Sequence, residues 1–379
     1  MDLDFTTDQE DLRANVADVL ARECPRSLVR SIAEGTATPD DLWARMVALG
    51  WPALTVPQDC GGLGLGAIEL AIVCEELGRS LAPTPFLATV TQYVPVLREL
   101  GALDALAAVA NDGVTGTLAI AEPGGNFDPA DVAATVSPDN DGFVLTGTKS
   151  FVLDGERAQH VLFVAREPGS AGDDGLGVFQ LDAQELITTP VANVDLTRPL
   201  ATLSLDHVRV DATAALAFGT ADVAAKLRRA LDEATMALAL DAVGASHALF
   251  HDTLEYSKQR EQFGVPIGSF QAIKHKLTDM YVLLERARAT GYFAALAIAE
   301  DDPRRGIATS TAKAAVGDCA ERIGKEAIQI HGGIGYTWEH DTHLFVRRAL
   351  ADTALYGTAA DHRARIAEVI GLGTAARPG

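Results

Sequence analysis

The spacing of apolar residues changes character twice along this chain, and that alternation limits the fold more than any other feature. Up to about residue 112 the step is helical. Leu12, Val16, Val19 and Leu20 recur every three to four residues, behind a Thr7-Asp8-Gln9-Glu10 stretch with the form of a capping box. Leu70, Val73, Cys74 and Leu77 predict a second amphipathic helix, with Gly78 as its C-cap. Between them Asp59-Cys60-Gly61-Gly62-Leu63-Gly64 predicts a turn, because glycine tolerates positive φ. From Gly113 the pattern becomes short runs, Val161-Leu162-Phe163-Val164 and Ala201-Thr202-Leu203-Ser204-Leu205 among them. Pro, Gly, Asp and Asn punctuate them, as in an all-β domain. Beyond Thr220, long Ala- and Leu-rich helices return, with Leu240, Val243, Phe250 and Leu254 on one stripe. The expected fold is α+β: a helical domain over residues 1–112, a β domain over 113–219 and a helical block over 220–379.

With 379 residues, 48% of them hydrophobic, the chain can bury a sizeable core. No apolar run approaches the roughly 18 residues of a membrane helix, and Met1-Asp2-Leu3-Asp4-Phe5 lacks the pattern of a signal peptide. A soluble cytoplasmic protein is expected. The net charge of −21 speaks against nucleic acid and anionic lipid as partners. Cys24, Cys60, Cys74 and Cys319 form no close pair, and Cys74 on an apolar stripe reads as a small buried hydrophobe. His340 and His343 lie three apart without a carboxylate or Cys at zinc-site spacing, so no metal is expected. Trp338 beside them reads as packing.

Two further segments carry chemistry. One is Arg260-Glu261-Gln262-Phe263-Gly264, followed by Pro266, Ile267 and Gln271; the other is Gln329-Ile330-His331-Gly332-Gly333-Ile334-Gly335. In this order they resemble the two flavin-binding signatures of the acyl-CoA dehydrogenase family. The family's order of N-terminal helical domain, central β domain and C-terminal four-helix bundle also matches nearly the whole chain. The resemblance implies FAD as cofactor. Arg260 would hold the pyrophosphate with fixed guanidinium donors, and Phe263 would pack near the adenine region. Gln271 would lie one to two turns along the next helix. Gln329 and Gly333 would approach the adenosine moiety from a neighbouring subunit.

Other family positions have changed. The usual Glu-Pro-Gly-Ala-Gly-Ser-Asp corresponds to Glu122-Pro123-Gly124-Gly125-Asn126-Phe127-Asp128, so a Ser has become Phe127. Trp-Ile-Thr-Asn-Gly corresponds to Phe151-Val152-Leu153-Asp154-Gly155, which keeps an aromatic face and loses a hydroxyl at Leu153. Phe127 and Leu153 read equally well as plain β-domain core. The family's catalytic carboxylate, at one of its two places, matches Tyr356 in Leu355-Tyr356-Gly357-Thr358. A phenol of pKa ~10 is ionised about one part in a thousand at pH 7, a penalty of roughly 4 kcal/mol, so Tyr356 is a poor base. The second place falls on Ala234. The adjacent Glu233 would be rotated by about 100° on a helix, and reads as a solvated carboxylate near a helix start or as a relocated base. Asp232 matches a position near the CoA moiety and is a substrate-binding candidate.

Within that family the chain resembles the two-subunit dehydrogenases of bacterial steroid side-chain degradation, in which one subunit lacks the base. The resemblance implies α,β-dehydrogenation of an acyl-CoA thioester by an α2β2 tetramer, with a base-bearing homologous subunit as partner. An electron-transferring flavoprotein would be the electron acceptor. The alternatives are a self-sufficient homotetramer with a relocated carboxylate, or a flavin-free assembly or acyl-CoA-binding protein.

Overall fold

Thr6, in extended backbone, accepts a hydrogen bond from Gln9 N at 3.3 Å, while Gln9 Oε1 accepts from Thr6 N at 3.1 Å. This capping box opens α1 (Thr7–Glu23) one residue earlier than the sequence predicted, because Thr7 already has helical backbone and cannot cap. The computed structural model describes residues 5–372; Met1–Asp4 of the acidic N-terminal stretch lie outside the described residues, as do residues 373–379.

The first helices continue as α2 (Arg26–Ala33), α3 (Asp40–Ala48), α4 (Ala67–Ser80), α5 (Phe86–Ala88), α6 (Val94–Leu100) and α7 (Leu103–Asp112). Val16 and Leu20 of α1 are buried, as their spacing requires. In contrast, α4 is enclosed on all sides from Leu70 to Gly78, including Glu75 and Glu76, so its predicted polar face does not exist. Gly78 is not a cap either. The cap is Leu81, at φ 52, and Gly78 serves instead where α4 crosses α8 (Val223–Gln259). A Cβ at Gly78 would lie 1.9 Å from the Asp241 carbonyl oxygen, and one at Gly244 would lie 1.9 Å from that of Glu75.

Eight strands follow: β1 (Gly116–Ala119), β2 (Thr135–Asp139), β3 (Gly142–Leu153), β4 (His160–Arg166), β5 (Leu176–Asp182), β6 (Ile187–Val191), β7 (Leu200–Asp211) and β8 (Ala215–Phe218). They form one sheet in the order β6-β7-β3-β2-β4-β5-β8, with β1 parallel to β4. The β3–β7 ladder slips between Lys149 and Val152. That irregularity puts Phe151 at φ 57 and turns its ring out of the alternation.

After α8, the two-residue strands β9 (Glu261–Gln262) and β10 (Val265–Pro266) pair as a small hairpin. The chain then forms α9 (Gln271–Ala299), α10 (Arg305–His331), α11 (Thr342–Ala354) and α12 (Ala359–Val369). Helices α8 to α11 make the C-terminal bundle, and α12 packs on α10. No helix among the described residues is long and apolar enough to cross a membrane.

Candidate active site

An apolar cavity of about 370 Å³ lies where the β domain meets the C-terminal helices. Phe127 and Phe151 line it from the sheet side, Val191 at the end of β6, Ala192 to Val194 on the loop that follows and Leu200 at the start of β7 add a second wall, and Leu350, Ala351, Ala354 and Leu355 come from α11 and its end. None of its walls carries an ionisable side chain.

A buried ionic network holds these walls together, and sequence reasoning missed it. Arg198, on the β6–β7 loop, reaches Asp241 of α8 at 2.6 Å and also pairs with Asp352 of α11. Arg348 of α11 binds Asp195 at 2.5 Å and the Thr197 hydroxyl. Two guanidinium groups thus face three carboxyls. Burial, with Asp241 beside it, pushes Asp352 well above the usual carboxylate range, whereas Arg198 and Arg348 hold Asp241 below it. Lys313, entirely enclosed, donates to the carbonyls of Asp352 and Leu355, and burial lowers its ammonium to about 7. One signal was available: Asp241 interrupts the run Ala237-Leu238-Ala239-Leu240-Asp241-Ala242-Val243, and a lone charge there must find a partner.

Tyr356 follows Leu355 in left-handed backbone at φ 59, a conformation that costs a side-chain-bearing residue about 1–2 kcal/mol. Its carbonyl faces His362 Nε2 at 3.1 Å, and burial pushes its phenol further above its ordinary range. The Tyr356 ring packs on Phe127 with centroids 4.6 Å apart and planes at 51°. Phe127 is therefore not domain core: half-buried, it borders the apolar cavity and a second, polar cavity of about 500 Å³. Asp128, Asp131, Asp361, Glu368 and Arg365 line the latter. Leu153, by contrast, is core at the end of β3, and Asp154 beside it is buried at φ 54, its carboxyl raised to about 7 by burial.

The carboxylates beside Ala234 face elsewhere. Glu233 lies well inside α8, only 3% exposed, with Oε2 at 2.6 Å from Arg98 of α6. This corrects the expectation of a solvated helix-start group: the helix begins ten residues earlier, and the N-terminal domain covers that face. Glu233 lines neither cavity, and its ion pair with Arg98 counts against a relocated base. Asp232 pairs with Arg305 at 3.1 Å, and burial raises its carboxyl against the pull of that guanidinium. It too lines neither cavity.

The two flavin-like segments meet at one end of the bundle. Tyr256, one turn before Arg260, stacks on His331 with centroids 4.4 Å apart and planes at 25°. Arg260, Phe263, Gln271, Gln329 and Gly333 are all exposed, Phe263 to 94% at the hairpin tip. Arg260 makes no ion pair among the described residues, and a Cβ at Gly332 or Gly333 would meet open space. None of these five residues lines the apolar cavity. Nearby, Trp338 is half exposed, with the Arg347 guanidinium 5.6 Å over its ring and His343 against its edge, rather than packed in the core.

The sequence matches the family descriptions of the acyl-CoA dehydrogenase N-terminal domain over residues 6–116, the middle domain over 117–214 and the C-terminal domain over 225–371. It is 34% identical over 340 residues to acyl-CoA dehydrogenase IpdE2 of Mycobacterium tuberculosis, covering 89% of each chain. Among solved structures it is similar to the ChsE4-ChsE5 complex from Mycobacterium tuberculosis, with a TM-score of 0.87 and 26% identity over 99% of this chain and 100% of that one. It is similar also to the Tcur3481-Tcur3483 steroid ACAD, with a TM-score of 0.85 and 29% identity over 96% and 98% of the two chains.

Proposed function

Since the chain belongs to the acyl-CoA dehydrogenase family, whose members bind FAD, we propose that it serves the α,β-dehydrogenation of an acyl-CoA thioester as the base-lacking subunit of an α2β2 enzyme. One observation carries this reading. The residues suited to hold a flavin's phosphate and adenosine portions face outward, while the chain's own apolar cavity is walled without any ionisable group. The residues present fit FAD in two separate halves. Phe151, in its apolar cavity, suits an aromatic ring system, and the exposed Arg260 suits a pyrophosphate. In this reading Arg260, Phe263, Gln271, Gln329 and Gly333 reach a flavin seated in the partner, whose carboxylate removes the α-proton. When bound, the flavin supplies the hydride acceptor. This chain's contribution is to anchor, orient and exclude water. Two carboxylates of the polar cavity are already engaged within the chain. Asp361 is held below its ordinary range by the Thr358 hydroxyl and amide, and Asp128 is paired with Arg228 at 2.9 Å.

Similarity to a steroid ACAD supports a steroid side chain as the acyl group; the proposal further takes an electron-transferring flavoprotein as acceptor and the cytoplasm as location. Visible absorbance of the chain purified alone, and after co-expression with a base-bearing homologue, tests the reading. The expected result is little flavin and no turnover alone, then a heterotetramer with fewer than four flavins and measurable dehydrogenation. Full flavin and activity in the homogeneous protein would refute it. No flavin in either preparation would point to a flavin-free acyl-CoA-binding or assembly role.

A further inference from the structure

Two of the positions at which this chain departs from the family pattern, 127 and 356, touch each other. Phe127 borders both cavities, Tyr356 lines the polar one, and Leu355 lines the apolar one. We propose that the Phe127–Tyr356 ring pair is a wall that divides a single acyl cleft in two, so that an acyl thioester entering through the polar cavity cannot reach the apolar one. This rests on the function above only in taking an acyl-CoA thioester as the ligand class.

Both sides of the wall are anchored. Tyr356 is only 7% exposed, and its backbone is fixed by His362 at 3.1 Å and, through Leu355, by the Lys313 ammonium at 2.5 Å. Phe127 sits in a loop where Asp128 N donates to Asn126 Oδ1 at 3.0 Å and Asp128 Oδ1 accepts from Arg228 at 2.9 Å. Ring centroids 4.6 Å apart leave no gap for a methylene chain between them. The cavities on either side, of about 370 and 500 Å³, are each large enough to matter once joined. The rim adds a second barrier. Asp128, Asp131, Asp361 and Glu368 outnumber Arg365 there, which disfavours the phosphates of CoA. The pair thus excludes an acyl chain from this chain's own apolar cavity.

The test compares hexanoyl-CoA with free CoA by isothermal titration of the full chain. The ratio of the two affinities isolates insertion of the acyl group from adhesion of the CoA portion. In the unsubstituted chain the two ligands are expected to bind equally within about twofold. Phe127→Ser/Tyr356→Ala is expected to bind hexanoyl-CoA at least about tenfold tighter than CoA, as burial of several methylenes requires. Tyr356→Phe, which keeps the wall, should leave the ratio unchanged. Should the double variant fail to fold, Phe127→Ser in its half-buried loop is expected to shift the ratio in the same direction. A tenfold acyl preference in the unsubstituted chain would overturn the proposal. So would an opened variant of native circular dichroism and melting that gains no preference. Neither readout requires a partner or flavin, so a failure here is distinct from a failure of the proposed function.

Discussion

A carboxyl enclosed on every side must be either paired or neutral, and this chain contains both kinds. Asp241 is paired, by Arg198 at 2.6 Å. Asp154 has no such partner, and burial raises its carboxyl to about 7, despite Arg157, Arg198 and Arg348 in the neighbourhood. A folded-state value above the unfolded 3.8 means that its contribution to stability is complete below about pH 4 and is lost as pH rises through 7. Asp154→Asn should therefore gain stability relative to the unsubstituted chain between pH 4 and 7, by an amount on the order of kcal/mol. Urea unfolding across that range measures it, and parallel curves would contradict it. The sequence made the need for a partner at Asp241 legible, because a charge stood alone among apolar residues. It could not name Arg198, which lies 43 residues earlier on the β6–β7 loop. At position 356 the sequence disclosed the loss of a carboxylate but not the contact with Phe127, since only the fold joins a β-domain loop to the end of α11.

Apolar stripes located α1, α4 and α8 alike, but they implied a water-facing side that only the partly exposed α1 has. Both α4 and the middle of α8 are enclosed on all sides, so a stripe there does not mark a single buried face and Gly78 passes for a cap. Its actual role belongs to the pair of elements. Gly78 and Gly244 let two backbones meet at a distance no side chain allows, each aimed at a carbonyl oxygen of the other helix. Gly244→Ala would place its Cβ 1.9 Å from the Glu75 oxygen and must force the helices apart. The same separation would disturb Glu75, which Arg79, Arg288 and Tyr292 contact at 2.7, 3.1 and 2.6 Å. We expect a loss of about 3 kcal/mol or more, at the upper end for overpacked cores. A change below about 1 kcal/mol in denaturant unfolding would show that the crossing is not tight.

In the whole molecule, the apolar cavity and the two signature segments lie at separate places, and the proposed function reads them as two halves of a flavin site. The order of the two signature segments identified the family from the sequence, and Tyr256 against His331 explains why they meet in space. Whether such segments serve their own chain's flavin or a neighbour's is a property of how chains pack, which one sequence does not spell out. The outward faces of Arg260, Phe263, Gln271, Gln329 and Gly333 favour a neighbour's flavin. The most direct test is the FAD content and turnover of the co-expressed heterotetramer with Arg260→Ala in this chain and the base-bearing subunit unchanged. A guanidinium–phosphate contact is strong and geometrically fixed. FAD occupancy and dehydrogenation should therefore fall together by about tenfold or more at micromolar FAD, with assembly and melting preserved. Full FAD with unchanged dissociation in that assembly would show that this chain does not hold the cofactor.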